Sequence, residues 1–300
     1  MARFVPLIPA AFVLIWSTGF IGTKLGSPYI EPFVFLSLRF FLVIPLLIIL
    51  IFAQGHSLKL PSSQIYHSLI AGVVIHGVYL GGVFWAIANG MPAGITAMTL
   101  GLQPLFTTLA AKALLHEHIS LKQWLGIALG VVGLAFVIIP KLGIGVNDIP
   151  PVTVLAALIS VIGISLGTAF QKRLSADTDL ITATFYQYIG ALLVVLPLSA
   201  TETWQIDWSW ELIFALGWLV IVLSLIAILL LMVLIKKGAV SQTASLFYLV
   251  PVATAIESYF MFEETLVATQ FVGMAVIVGA ILLCRPAPQK RQLEGEPYSS

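Results

Sequence analysis

Ten runs of roughly 20 apolar residues divide the sequence, at about 5–23, 32–53, 66–88, 92–115, 121–140, 151–171, 180–200, 210–235, 239–262 and 266–284. That is the length an α-helix needs to cross the hydrocarbon core of a bilayer. No other feature narrows the accessible folds as far. In lipid, such runs must be helical, because each backbone N–H and C=O has to find its partner within the segment. Charged residues make up 9% of the 300, against about 25% in an average soluble domain, so the surface between the loops has to face lipid. The expected fold class is an all-α polytopic membrane protein with ten transmembrane helices.

The second half repeats the first. Pro104, Glu117, Gln123 and Gly126 recur as Pro251, Glu264, Gln270 and Gly273, each pair 147 residues apart. Five spans per copy is an odd number, so the second copy enters the membrane inverted, as two inverted five-helix repeats. Such an arrangement puts a substrate site at the repeat interface, near the bilayer midplane. The expected units are 5–140 and 151–285, separated by Asn147-Asp148-Ile149-Pro150-Pro151, with 286–300 a disordered tail whose Pro, Gln and Glu content cannot support a core. The first span lacks a small-residue cleavage site and fits as the first member of repeat one, so it reads as a permanent helix and not a removable signal.

Orientation follows from the basic residues. With the amino terminus in the cytoplasm, eleven of the 14 Lys and Arg fall in cytoplasmic segments, Lys24 and Lys141 fall outside, and Arg39 lies within a span. That bias predicts both termini cytoplasmic. Trp204, Trp208 and Trp210 form the aromatic belt expected at the outer interface. The net charge of +1 leaves no basic face for nucleic acid. The lone Cys284 excludes an internal disulfide and a cysteine-rich metal site. His116 and His118 flank Glu117 at a spacing that splays them apart on a helix, so no metal is expected there. No phosphate-binding loop or dinucleotide fingerprint occurs, so no cofactor is expected and no ATPase within this chain drives it.

Polar and aromatic side chains at span depth are the candidate substrate contacts. His76 and Tyr79 sit three residues apart on the third span. Gln103 continues a face begun by Thr96 and Thr99, and Tyr248 does so with Ser241 and Ser245 on the ninth. Trp16, Tyr79 and Tyr248 are expected to stack on substrate, while His76, Gln103 and Gln187 bond its polar groups. A histidine bonded to a backbone carbonyl, threonines that only pack, and an ordinary buried tyrosine are the plainer readings of the same residues. Two charges lie deeper than the end turns of their spans, and both are functional candidates by position: Arg39, about eight residues in from the outer end of the second, and Glu257, about five from the outer end of the ninth. His76 and Glu257 are the candidate coupling groups, with protons as the coupling partner. Pro104 and Pro251, near the middle of their spans, are candidate hinges.

The chain resembles the EamA family of the drug/metabolite transporter superfamily over about residues 8–284. The resemblance is carried by Trp16-Ser17-Thr18-Gly19-Phe20, Leu38-Arg39-Phe40, Pro92-Ala93-Gly94, Gln103-Pro104-Leu105-Phe106 and Glu117 in the first unit. In the second it is carried by Gly238-Ala239, Ser245 to Pro251, and Phe262-Glu263-Glu264. Where the family has Gly before the acid closing the fourth and ninth spans, this chain has His116 and Glu263. The resemblance implies a ten-helix basket in a bacterial inner membrane, in contact with membrane lipids. It implies a small-molecule substrate and an exporter of metabolites such as amino acids, the alternative being a multidrug exporter. It does not imply an enzyme.

Overall fold

The computed structural model describes residues 8–115, 119–142, 148–174, 179–227, 230 and 249–284. Among the described residues the regular elements are helices: α1 (Ile8–Gly26), α2 (Pro32–Ala53), α3 (Ser62–Ala88), α4 (Ala93–Leu100), α5 (Gln103–Leu115), α6 (Leu121–Ile138), α7 (Pro151–Leu174), α8 (Leu180–Ser199), α9 (Trp210–Ile226), α10 (Val250–Phe262) and α11 (Ala268–Cys284). α2, α3, α6 (extended to Lys141 by a 3₁₀ turn), α7 and α8 are each long and apolar enough to cross a membrane, and shorter apolar helices accompany them. Tyr248, Glu117, the tail and the stretch expected to begin the ninth span lie outside the described residues.

Side chains exposed on these helices are largely hydrocarbon, as in Leu14, Ile49, Val131, Ile159, Leu193 and Phe260. That is the inverse of a soluble surface and suits contact with lipid. With no hydrophobic drive between helices in lipid, association depends on close packing. Gly72 on α3 lies against the carbonyl of Gln187 on α8, and Gly190 on α8 against the carbonyl of Leu69. Any Cβ at either position would strike backbone. Gly133 on α6 and Gly273 on α11 meet in the same reciprocal way.

The residues that mark the internal repeat have local work to do. Gln123 closes a capping box at the start of α6, its Oε1 accepting the Ser120 N–H at 2.8 Å. Gln270 takes the matching position in α11, its Oε1 accepting the Val267 N–H at 3.0 Å. Glu264 spans the fold: its two carboxylate oxygens accept the N–H groups of Ala93 and Gly94 at 3.0 and 3.1 Å. A carboxylate at a helix N-terminus satisfies orphan donors and meets the positive end of the dipole. Glu263, just before it, sits in the left-handed region at φ 55°, the conformation glycine adopts without strain.

Pro104 starts a helix and does not bend one from within. The fourth span is two helices, interrupted at Gly101-Leu102, and Pro104 is the second residue of α5. Pro251 is likewise the second residue of α10. A first-turn proline gives up an N–H that would have no intrahelical partner. The expected kink at mid-helix is thus replaced, at Pro104, by a break one turn earlier. α3 and α9 each contain a π-helical stretch, Val73–Tyr79 and Trp218–Ile226, and the two stretches end 147 residues apart.

Candidate functional site

α2, α3, α8 and α9 converge on a buried aromatic and polar cluster. Phe40 of α2 meets Tyr188 of α8 edge to face, with centroids 5.2 Å apart. Tyr188 stacks on His76 at 4.7 Å with an interplanar angle of 14°. The His76 Nε2 lies 3.3 Å from the Gln187 Oε1, so the Nε2–H tautomer of the imidazole donates this bond. Across the Phe40–Tyr188 contact, Arg39 donates from Nε and Nη2 to the Ser224 Oγ at 3.3 and 3.1 Å. Ser224 passes its own hydrogen to the Leu219 carbonyl five residues back, at 2.9 Å, a bond that the π-helical turn makes available. The Tyr188 and Tyr79 hydroxyls lie near enough to the guanidinium to interact with its charge.

The two polar pairs are related. A step of 148 residues carries Arg39 onto Gln187, Phe40 onto Tyr188 and His76 onto Ser224. Each pair joins a span of one half to a π-helical stretch of the other. Of the six expected substrate contacts, His76, Tyr79 and Gln187 are thereby brought together. Arg39, Tyr188 and Ser224 join them. Arg39 was visible in the sequence as a charge at span depth. Ser224 lies in an unbroken apolar run, where only the 148-residue step from His76 points to it.

Trp16 and Gln103 stand elsewhere, Trp16 beside Phe12 on α1 at 5.2 Å. The Gln103 main-chain carbonyl accepts the Ser165 hydroxyl at 3.1 Å. The Thr96 and Thr99 hydroxyls turn back to carbonyls four residues earlier, so the face expected to run from Thr96 to Gln103 is spent on its own helix and then interrupted. Glu257, on α10, is half-buried at a separate place: Ser17 Oγ lies 2.7 Å from its Oε1, and Thr254 bonds the Ser17 carbonyl at 3.3 Å. The Glu257 Oε2 is buried without a partner among the described residues. α1 links the two sites, since Trp218 Nε1 on α9 donates to Thr18 Oγ1 at 2.8 Å.

The two ends of the bundle are fastened by loops. At one, Glu202 accepts the N–H groups of Phe33 and Val34 at 3.1 and 2.7 Å, and Glu31 accepts from the Thr203 N–H at 2.7 Å. Burial raises the Glu202 carboxyl above its ordinary range, and the two backbone donors oppose that shift. At the other end His56 and Asp179 pair at 3.1 Å, and the Tyr186 hydroxyl donates to the Leu58 carbonyl at 2.9 Å. A cavity of about 770 Å³ opens at the first end, lined by residues such as Tyr29, Glu31, Trp85, Asn89, Glu202 and Asp207. None of the expected substrate contacts lines it. No group of His, Cys, Asp and Glu among the described residues has a metal-binding arrangement.

Five helices long and apolar enough to cross a membrane, shorter apolar helices beside them and a buried polar cluster among them fit a polytopic membrane protein. The chain belongs to the EamA-like transporter family, whose model matches twice, over residues 6–139 and 151–285. It is 25% identical over 282 residues to the uncharacterized transporter YvbV of Bacillus subtilis, covering 92% of this chain and 90% of that one. It is 26% identical over 284 residues to the uncharacterized inner membrane transporter YedA of Escherichia coli K12, covering 94% and 91%. It is also 26% identical over 267 residues to an S-adenosylmethionine uptake transporter of Rickettsia felis, covering 88% and 84%. A solved crystal structure shares the fold with a TM-score of 0.63 at 22% identity, covering 92% of this chain and 94% of that one.

Proposed function

We propose that this protein is a secondary transporter of the bacterial inner membrane that exports a small amphipathic metabolite, such as an amino acid, by alternating access. It does so through ten spans arranged as two inverted five-helix repeats with both termini cytoplasmic. The observation that carries this reading is the crossed pair of contacts, Arg39 with Ser224 and His76 with Gln187. Two related pairs, each joining the two halves of the chain, are what a rocking motion about a central site requires. The double match of the family model and the 147-residue step support the repeat. His76, Tyr79 and Gln187 contact the substrate at the centre, with Trp16, Gln103 and Tyr248 along its path. Glu257, whose Oε2 has no partner among the described residues, and His76 are the coupling candidates. The helix starts at Pro104 and Pro251 are the hinges.

Counterflow in proteoliposomes against a metabolite panel tests the reading. Wild-type protein is expected to exchange at least one amino acid or close relative, and His76→Ala to lose at least tenfold. Exchange confined to hydrophobic xenobiotics would point to the multidrug alternative. The Rickettsia relative's activity is uptake, so flux should be measured with the gradient imposed in each direction.

A further inference from the structure

Arg39 is a buried cation with no counter-charge among the described residues. Among the described residues it is the buried member of the Lys and Arg set. No carboxylate among them pairs with it: the close ion pair is His56 with Asp179, at one end of the bundle. In the sequence the acids within spans are Glu211, in the first turn of the eighth, and Glu257, whose carboxylate faces Ser17 on α1. A guanidinium has five N–H donors. Here two converge on a single hydroxyl, Ser224, whose own hydrogen is committed to Leu219. A charge withdrawn from water and held only by neutral partners is stable chiefly when an opposite charge completes it.

We propose that Arg39 is the recognition site for a carboxylate on the transported molecule. This rests on the transporter reading above and narrows its substrate class to carboxylate-bearing metabolites. The planar guanidinium matches a carboxylate edge to edge. A phosphate monoester, at about −1.5 to −2, would leave excess charge against a single cation. Phe40, Tyr188 and His76, packed ring against ring beside Arg39, are the apolar and aromatic groups that the remainder of such a molecule would meet once this packing opens. The related position across the Phe40–Tyr188 contact is the neutral amide of Gln187. Two similar sites of which one is charged will hold an asymmetric molecule in one orientation, its anionic end toward α2 and α9.

The test is counterflow by wild-type protein and R39Q, using L-phenylalanine, L-leucine and L-methionine, their amides, and their decarboxylated amines. Wild-type protein is expected to move at least one free acid ten times faster than its amide or amine. R39Q is expected to lose that preference by slowing the acid at least tenfold while the amide is unaffected. If the wild type moves acid, amide and amine equally, this inference falls while the transporter reading stands. If R39Q slows acid and amide alike, Arg39 is structural and the inference falls. If no probe moves in the wild type, the transporter reading for metabolites of this size fails, and the inference with it. Should R39Q not fold, R39K carries the test: the expected result is a KM for the acid raised at least tenfold with the amide unchanged. An unchanged KM for the acid would overturn the proposal.

Discussion

Gly72→Ala is the most informative single substitution, because its cost and its functional reach both follow from one contact. A Cβ there would press on the Gln187 carbonyl, which is backbone and cannot swing aside. Ordinary contact for a Cβ begins at 3.4 Å, so α3 and α8 must part by roughly 1 Å or more to accept it. Overpacking of this kind costs about 1–3 kcal/mol. Gln187 also holds His76 across the same crossing at 3.3 Å, near the limit for a hydrogen bond. Parting the helices removes that bond, worth about 1 kcal/mol more, giving a total of about 2–4 kcal/mol. The assay is denaturant unfolding in detergent beside counterflow. Gly217→Ala is the control, since nothing lies within 4 Å of its added Cβ and the better helix propensity should leave stability equal or higher. Gly72→Ala should unfold at clearly lower denaturant and lose flux, while Gly217→Ala should do neither. Equal unfolding midpoints for the two variants would refute the close-approach argument.

Glu264→Ala removes both acceptors from the start of α4 and should cost about 2–3 kcal/mol, with Glu264→Gln retaining roughly half by keeping one oxygen; SDS unfolding midpoints check the order. Glu263→Gly should stabilise by about 1 kcal/mol, since it relieves a left-handed side-chain residue, and the same midpoint should rise. Ser224→Ala leaves two guanidinium donors unpaired and should cost about 1–3 kcal/mol, with Ser224→Thr recovering part of the loss. The Glu202 carboxyl is raised in the folded state, so the fold binds more protons than the unfolded chain just above pH 4.5. Stability should therefore fall as pH rises through that window, and Glu202→Gln should flatten the slope in pH-dependent thermal unfolding; an unchanged slope would count against the shift.

Helix placement was largely legible from hydropathy, because lipid leaves a long apolar run only one backbone solution. The second and seventh spans begin at residues 32 and 180, as expected, and the structure starts them at Pro32 and Leu180. Misplacement occurred where polar residues belong to a helix end. The third span was expected from 66, yet it begins at Ser62, whose first turn is too polar to register as apolar. The break at Gly101-Leu102 was displaced from the proline that marks it, since proline starts a helix more readily than it interrupts one. In the site, the residue types at His76, Tyr79, Gln187 and Arg39 drew notice because polar groups at span depth demand partners. Their partners did not, because pairing between α2 and α9, or α3 and α8, depends on tertiary packing and π-helical turns that no local periodicity reports. Glu31 and Glu202 cap backbone 168 to 172 residues away, contacts that their own sequence neighbourhoods cannot report.

The carboxylate clasp on α4 has a consequence in time. Ala93 and Gly94 are translated 171 and 170 residues before Glu264, which accepts their N–H groups. At synthesis rates of about 5–20 residues per second, the first turn of α4 waits roughly 9–34 s for its cap. During that interval these donors lack their final partner. The first half of the chain is complete before this cap exists, so α4 reaches its capped state only after α10 and Glu264 have been made. Any stop of translation before residue 264 would leave an inserted yet unlatched bundle, with exposed helix ends that quality-control proteases could recognise.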